Sequence, residues 1–365
     1  MRVSRVLPVD PAHDCKIAIV GEAPGEAEAE KGIPFIGKIG EELTNMLAEA
    51  GIVREECLIT SVFTDKPPRN DITSWCLKKR DADAAWAALG NSGKYPLPPI
   101  RAGQYLMPER LNELSRLFTE LREYAPHVII ALGNAALWAL CGESGISKVR
   151  GTILEASIGG PRKYKVLPTY HPAYILRNWD ERLIVVADLM KVKRESFSET
   201  YSRPERELWL EPELSDIKDF LFYLLTVPHF AIDIETMREQ ITCIGFGTRD
   251  KAICIPFVDE RKADKSYWPT ADDELAAWDY VRQILLLPDQ SKIFQNGMYD
   301  MQWLWRKMGL TVAGNIHDTM LLHHSMFPEM RKSLGFLGSI YTNESAWKRL
   351  RPKKTTLAKR EDIDQ

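Results

Sequence analysis

GEAPGEAEAEKGIPFIGKIG, residues 21 to 40, decides the fold of the first half of this chain, because it admits two incompatible readings. From Gly32 to Lys38 it nearly spells a phosphate-binding loop: glycine, four residues, glycine, lysine. Such a loop leaves a strand directly, so that its amides and the following helix dipole meet the phosphates, and Ser or Thr follows the lysine to hold magnesium. Here the apolar segment KIAIV runs into Gly21, eleven residues ahead of Gly32, and Ile39 stands at the magnesium position. Pro34 also lacks an amide that would cradle phosphate. A different design fits. GEAPG builds a pocket at the strand end, and the glycine-bracketed turn GIPFIG brings Phe35 back over it. An aromatic face beside backbone amides and a carboxylate suits a planar polar ring such as a nucleobase.

Outward from this stretch, the first half alternates short apolar strands with helical runs. KIAIV, CLITSVF, HVIIAL and KYKVLPTY are the strand candidates; Glu41 to Ala50, PERLNELSRLFTELREY and Ala187 to Lys193 are helical. This rhythm predicts an α/β fold with a largely parallel sheet covered on both faces, whose ligands sit at the carboxyl ends of the strands. Residues 66 to 104, rich in Pro, Gly, Arg and Lys, read as a long functional or mobile loop. SFSETYSRPERELWLEP, ending at Pro212, has neither period and reads as a linker. The expected division is therefore residues 1–195, a linker over 196–212, and a second domain over 213–365.

Composition bounds the function. At 365 residues, 45% hydrophobic and 27% charged, the chain is an ordinary globular protein long enough for two cores. No apolar run is long enough for a bilayer, and MRVSRVLPVDPAHD lacks the apolar core of a secretory signal, so a cytoplasmic location with no membrane partner is expected. The six cysteines show no CxxC and no metal-ligand spacing with His. A net charge of −3 does not advertise nucleic-acid binding, but KRLRPKKTTLAKR near the end is a basic strip. Its Lys348, Arg349 and Arg351 are candidate phosphate contacts, or simply a solvated tail.

GEAPGEAEAEKGIPFIGKIG, ITSVFTDKPPRN, PHVIIALGNAAL, KVRGT and LPTYHPAYILR occur in the order and spacing of the uracil-DNA glycosylase superfamily. The chain most resembles the bacterial and archaeal class that carries an iron-sulphur cluster, over roughly residues 14 to 195. The resemblance implies an αβα sandwich in which the backbone at Glu22 and Ala23 meets the base edge and Phe35 stacks on a flipped uracil. It implies that Glu22 or Glu28 orients the water or stabilises the cationic sugar, that His171 supports charge on the leaving base, and that Arg177 contacts DNA. Cleaving the N-glycosidic bond needs a carboxylate on the sugar side and a hydrogen-bond donor on the base side. The chain departs from the family twice. Ser61 stands where the family reads the uracil edge with Asn, and a hydroxyl cannot reproduce the amide's paired donor and acceptor. Asp65 takes one cluster cysteine position and only Cys15 and Cys76 stand near the others, so no iron-sulphur cluster is expected.

In the second half, FAIDIET, TCIGFGTR and KAICIPF predict an antiparallel meander, followed by helices over Ala271 to Leu286 and Met298 to Met308. Asp233 and Glu235, two apart on one strand, share a face. About sixty residues later, in FQNGMYDMQWL, Asp300 stands at the start of a helix after a strand ending near Gln295. Three carboxylates at a sheet edge suit two-metal phosphodiester hydrolysis with Mg or Mn. With HDTMLLHH beyond, these blocks resemble the 3′-5′ exonucleases attached to family A DNA polymerases. That resemblance implies a ribonuclease-H-like fold with a mixed sheet, in which Asp318 of the HDT block is not a metal ligand. The late YxxxD motif is missing, since Tyr341 has Ser345 four residues on. The domain is thus expected to be partial, completed by further residues or by a partner chain, or to serve only as a binding platform. The order of the two domains resembles the amino-terminal part of certain bacteriophage DNA polymerases. It implies DNA as partner, single-stranded or primer-template, with a polymerase domain on the same or a separate chain. The rival reading is a catalytically inactive tethering part of such a polymerase.

Overall fold

The computed structural model describes residues 5–12, 14–159, 161–201 and 205–344. The basic candidates Lys348, Arg349 and Arg351 lie outside the described residues. Two compact units form, one from the described residues of Met1–Ser202 and Gly335–Gln365, the other from those of Arg203–Leu334.

The first unit is built on a five-stranded sheet. Its strands are β1 (Ile17–Gly21), β2 (Cys57–Ser61), β3 (Val128–Leu132), β4 (Leu154–Ala156) and β5 (Tyr164–Thr169), in the order β2-β1-β3-β5-β4. All pairs are parallel except β4 with β5. Every residue of β1, β3 and β5 is buried, as a sheet clad on both faces requires. One face, with Ala18, Val20, Leu58, Ile129 and Val166, packs on Leu114, Leu117 and Leu121 of α3 (Leu111–Tyr124) and on the small apolar residues of α4 (Gly133–Cys141). Before them come α1 (Glu26–Lys31) and α2 (Gly37–Glu49), and after them α5 (Arg182–Glu195) packs against α2, β3 and β5. The expected αβα sandwich is what forms.

Residues 66–104 are more ordered than their composition suggests. Lys79–Ala88 is a helix, and Cys76–Leu77 pairs antiparallel with Tyr105–Leu106. The run DADAAWAA supplies alanine, the strongest helix former, and Trp86 meets Tyr95 edge-on at 5.9 Å. The glycines and prolines that signalled a loop fall outside that helix, at Pro67 and Pro68 before it and between Gly90 and Gly103 after it.

The second unit carries a six-stranded mixed sheet. Its elements are β6 (Glu207–Trp209), α6 (Leu214–Leu224), β7 (His229–Met237), β8 (Gln240–Gly247), β9 (Lys251–Pro256), α7 (Ala271–Leu285), β10 (Ser291–Phe294), α8 (Gly297–Met308), β11 (Ile316–Asp318) and α9 (Thr319–Met326). The strand order is β11-β10-β7-β8-β9-β6. The predicted meander β7-β8-β9 is antiparallel, and β10, β11 and β6 join it parallel. Along β7 buried and exposed residues alternate, with Phe230, Ile232 and Ile234 inward, the period-2 pattern of a half-buried strand. β6 lies in the stretch read as linker and becomes an edge strand by pairing with β9. A last helix, α10 (Leu334–Tyr341), packs on the first unit.

Candidate active sites

Register brings the first site together. Gly21 pairs with Ser61 across β1 and β2, and Leu132 with Thr169 across β3 and β5, so the carboxyl ends of the strands form one edge. At Gly21 a Cβ would lie 2.6 Å from Cζ of Phe35 and 3.2 Å from Oγ of Ser61. No side chain fits there. The glycine thus lets the Phe35 ring lie against the strand end beside Ser61.

Phe35 is 4% exposed and has φ of 52°, a left-handed conformation that a non-glycine residue holds only when its surroundings enforce it. The surroundings are specific. The Phe35 amide donates to Oε1 of Glu28 at 2.6 Å, while Oε2 of Glu28 accepts from the Gly25 amide at 2.6 Å. On the other side Arg54 donates to the Phe35 carbonyl at 2.8 Å, to the Gly40 carbonyl at 3.0 Å and to Oγ1 of Thr44 at 2.8 Å. At Gly40, inside α2, a Cβ would stand 1.8 Å from that same Phe35 carbonyl oxygen. Glu28, Arg54 and Gly40 therefore form a clasp that presents the ring.

His171 faces the ring, its centroid 5.6 Å from that of Phe35 at 32°. It precedes Pro172, where the short helix Pro172–Ile175 begins, and its Nδ1 accepts from the Ala173 amide at 3.2 Å. An Nδ1 that accepts must be unprotonated, so the neutral ring carries its proton on Nε2. Burial, with Arg177 nearby, lowers its pKa to about 4, so the neutral donor tautomer prevails near neutrality. Arg177 is exposed. Glu22 and Ala23 follow Gly21 directly and are half-buried. The Glu22 carboxyl is pushed up by burial, with Arg101 opposing the shift and Asp71 adding to it. Arg101 and Asp71 themselves pair at 3.5 Å. The Glu22 and Gly21 carbonyls accept from the amides of Phe63 and Val62, which sets the loop against the end of β2. Arg116 fastens that end, donating to the Ser61 carbonyl at 2.6 Å and to the Val62 carbonyl at 3.0 Å.

The cluster position is differently furnished. Asp65 accepts from Arg110 at 2.8 Å, and the Arg110 guanidinium lies 4.1 Å from the centroid of the Trp75 ring. Burial raises the thiols of Cys15 and Cys76, the latter to about 11, which opposes the thiolate a metal needs.

In the second unit Asp233 and Glu235 sit on the exposed face of β7. Asp300, 4% exposed in the first turn of α8, turns Oδ1 to the Ile234 amide at 3.0 Å, between those two residues. Burial raises Asp300 to about 6, the Ile234 bond opposes this, and the charges of Asp233 and Asp318 add to it. Among the described residues no three His, Cys, Asp or Glu side chains are grouped to hold a metal ion. The expected three-carboxylate ligand set is thus one neighbourhood, not a closed cluster. The reason is local: Asp300 is buried and bonded to backbone, while the other two project from the sheet. Asp318 holds the frame, accepting from the amides of Asn296 at 3.2 Å, Gly297 at 2.8 Å, Met320 at 2.8 Å and Leu321 at 3.3 Å. One carboxylate thereby caps both α8 and α9.

Residues 8–194 match the family model described as Uracil DNA glycosylase superfamily. The type-4 uracil-DNA glycosylase of Thermotoga maritima is 34% identical over 186 residues, covering 49% of this chain and 77% of that protein. The chain belongs to the uracil DNA glycosylase superfamily. Another superfamily relative, the type-4 uracil-DNA glycosylase of Archaeoglobus fulgidus, is 32% identical over 48% of this chain and 75% of its own length. Residues 213–358 match a second model, 3'-5' exonuclease, so a glycosylase-superfamily domain is fused to an exonuclease-family domain. The DNA polymerase of Bacillus phage SP01 aligns with both, 25% identical over 84% of this chain. The chain spans 32% of that polymerase. The catalytic core of RRP6 from Trypanosoma brucei is a weak structural likeness, with 18% identity, a TM-score of 0.32, and coverage of 40% of this chain and 37% of that one.

Within the glycosylase-superfamily domain, Gly21, Glu22, Ala23, Phe35, Ser61 and His171 gather at one strand edge. Glu28 serves the loop. Arg54 and Arg116 carried no sequence signal, since a lone arginine does not reveal which distant carbonyls it will find.

Proposed function

We propose that the glycosylase-superfamily domain excises a uracil-type base from DNA, and that the exonuclease-family domain holds the strand for replication or repair. The observation that carries this is the setting of His171: its Nδ1 accepts from the Ala173 amide, which leaves the proton of the neutral ring on Nε2, and its ring lies 5.6 Å from that of Phe35 at a tilt of 32°. A flipped base would lie on Phe35 with its edge on the Glu22 and Ala23 backbone. As the bond from C1′ to the base nitrogen breaks, its electron pair leaves with the base, and Nε2–H of His171 donates to the oxygen where that charge collects. Such a donor is worth about a hundred- to thousandfold in rate. Glu22, its basicity increased by burial, takes a proton from the water that adds to C1′. Glu28 acts on the reaction only by presenting Phe35. Ser61 weakens the reading of uracil by roughly 1–3 kcal/mol relative to an amide. No iron-sulphur cluster is assigned here, because the Arg110–Asp65 pair and the protonated thiols do not suit one.

In the second domain Asp233, Glu235 and Asp300 would hold Mg or Mn. A pair of ions held there would supply an activated water and stabilisation of the departing oxygen. A second reading, a tethering part of a phage-type DNA polymerase without catalysis, is favoured by the alignment with the SP01 polymerase across both domains and by the open carboxylate arrangement. Single-stranded oligonucleotides carrying uracil, hypoxanthine or 5-hydroxymethyluracil, incubated with the protein and then cleaved with alkali at abasic sites, separate the two. Strand breaks that disappear in His171→Gln support excision; DNA binding without breaks at any base supports tethering.

A further inference from the structure

Helix α10 and the three residues after it fall within the stretch matched to the exonuclease family, residues 213–358, yet they pack on the glycosylase-superfamily domain. They do so on a charged socket. Arg150, Asp188 and Lys191 are at most 5% exposed. Asp188 accepts from Nε of Arg150 at 2.9 Å, from Nη2 of the same guanidinium, and from Oγ1 of Thr169 at 2.6 Å. Lys191 donates to three carbonyls, Gly151 at 2.7 Å, Ser339 at 2.6 Å and Thr342 at 2.5 Å. Two of those three belong to the docked segment. A buried ammonium needs such partners, and free carbonyls at a helix C-terminus attract a cation.

More contacts seat the same segment. Arg150 donates to Oγ of Ser339 at 3.2 Å and lies over the Phe336 ring at 5.5 Å. Asn343 donates to Glu195 at 2.7 Å, and the Tyr201 hydroxyl to the Asn343 carbonyl. Gly151 has φ of +72°, and a Cβ there would lie 2.6 Å from Oδ1 of Asp188 and 2.9 Å from the Ser339 carbonyl. The turn is therefore shaped to admit the helix end.

The socket leads to the base pocket. The Gly151 amide donates to the Pro168 carbonyl at 2.9 Å, and Thr169, bonded to Asp188, is the last residue of β5, two before His171. We propose that residues 335–344 are a buttress of the glycosylase-superfamily domain. Seated on Arg150, Asp188 and Lys191, they fix the strand end that delivers His171, so the base pocket depends on a segment that follows the exonuclease-family sheet in the chain. The docking stands on the contacts alone; its bearing on excision rests on the role proposed for His171.

Hydrogen exchange on the full chain tests it. In the wild type, amides of 338–344 are expected to exchange at least about tenfold more slowly than in an unstructured chain. Lys191→Met removes the charge that holds the two segment carbonyls. It should raise exchange across 336–344 and, with it, across Thr169 to Ala173, while β1 and β7 keep their protection. Ser339→Pro breaks the helix from the segment side and leaves the socket residues intact, so it serves if Lys191→Met does not fold. Rapid exchange of 338–344 in the wild type overturns the proposal, as does release of the segment with no change at Thr169 to Ala173. Base release is measured separately. Coupled exchange without base release for any oligonucleotide keeps the buttress and removes the excision reading; base release with uncoupled exchange does the reverse.

Discussion

Gly40→Ala sets two magnitudes against each other. Gly40 lies inside α2, where alanine is favoured over glycine by about 1 kcal/mol, so local propensity alone predicts a more stable protein. The clasp predicts the opposite. The new Cβ would begin 1.8 Å from the Phe35 carbonyl oxygen and 2.4 Å from its carbon. Both are backbone atoms, so the loop must retreat by roughly 1.5 Å to reach van der Waals contact. That retreat breaks the 2.8 Å bond from Arg54, a charge-assisted bond worth about 1.5–3 kcal/mol. Overpacking of this kind itself costs about 1–3 kcal/mol. The net expectation is a loss of about 1.5–5 kcal/mol in denaturant unfolding, with base binding impaired because the clasp no longer fixes the ring. Urea unfolding together with equilibrium binding to a uracil-containing oligonucleotide would measure both. A Gly40→Ala protein as stable as the wild type and with unchanged binding would refute the clasp.

Other outcomes follow from the same contacts. The His171 imidazole should titrate near 4 and show the Nε2–H tautomer by nitrogen-15 NMR; a midpoint near 6.5 would remove its burial. Because its folded pKa lies below the unfolded value, the stability it contributes is full above about pH 6.5 and is lost as pH falls toward 4. That acid loss should shrink in His171→Gln when unfolding is followed between pH 7 and 4. Ser61→Asn should raise discrimination for uracil about ten- to hundredfold, read as the ratio of single-turnover rates for uracil and hypoxanthine; no change would place base reading elsewhere. Asp318→Ala removes the acceptor for four backbone amides. It should destabilise the exonuclease-family domain by about 1–3 kcal/mol, whereas an unchanged unfolding midpoint would show that the two caps are dispensable.

Much of the architecture was legible because it is periodic. The strands ending at Gly21, Ser61, Leu132 and Thr169, and the meander carrying Asp233 and Glu235, each announce themselves within a few residues. Glu22, Phe35 and His171, which the fold brings to one strand edge, could be picked out together because they stand in blocks of fixed order. What escaped depends on distant partners. Arg54 finds a carbonyl nineteen residues away, and Glu28, a plausible catalyst from its motif, spends both oxygens on Gly25 and Phe35. The helix Lys79–Ala88 was hidden by flanking Pro and Gly, and β6 by its brevity, since only pairing with β9 makes it a strand. The seat of residues 335–344 on Lys191 belongs to the same class, being set by tertiary partners and not by local pattern.

The proposed excision requires the pocket formed by Gly21, Glu22, Phe35 and His171 to break a glycosidic bond. Its most direct test is mass-spectrometric detection of free base after single-turnover incubation of the full chain with uracil-containing single-stranded DNA. Stoichiometric release of uracil is expected, slowed about a hundred- to thousandfold by His171→Gln. Tight DNA binding with no free base, or release that His171→Gln leaves unchanged, would contradict it.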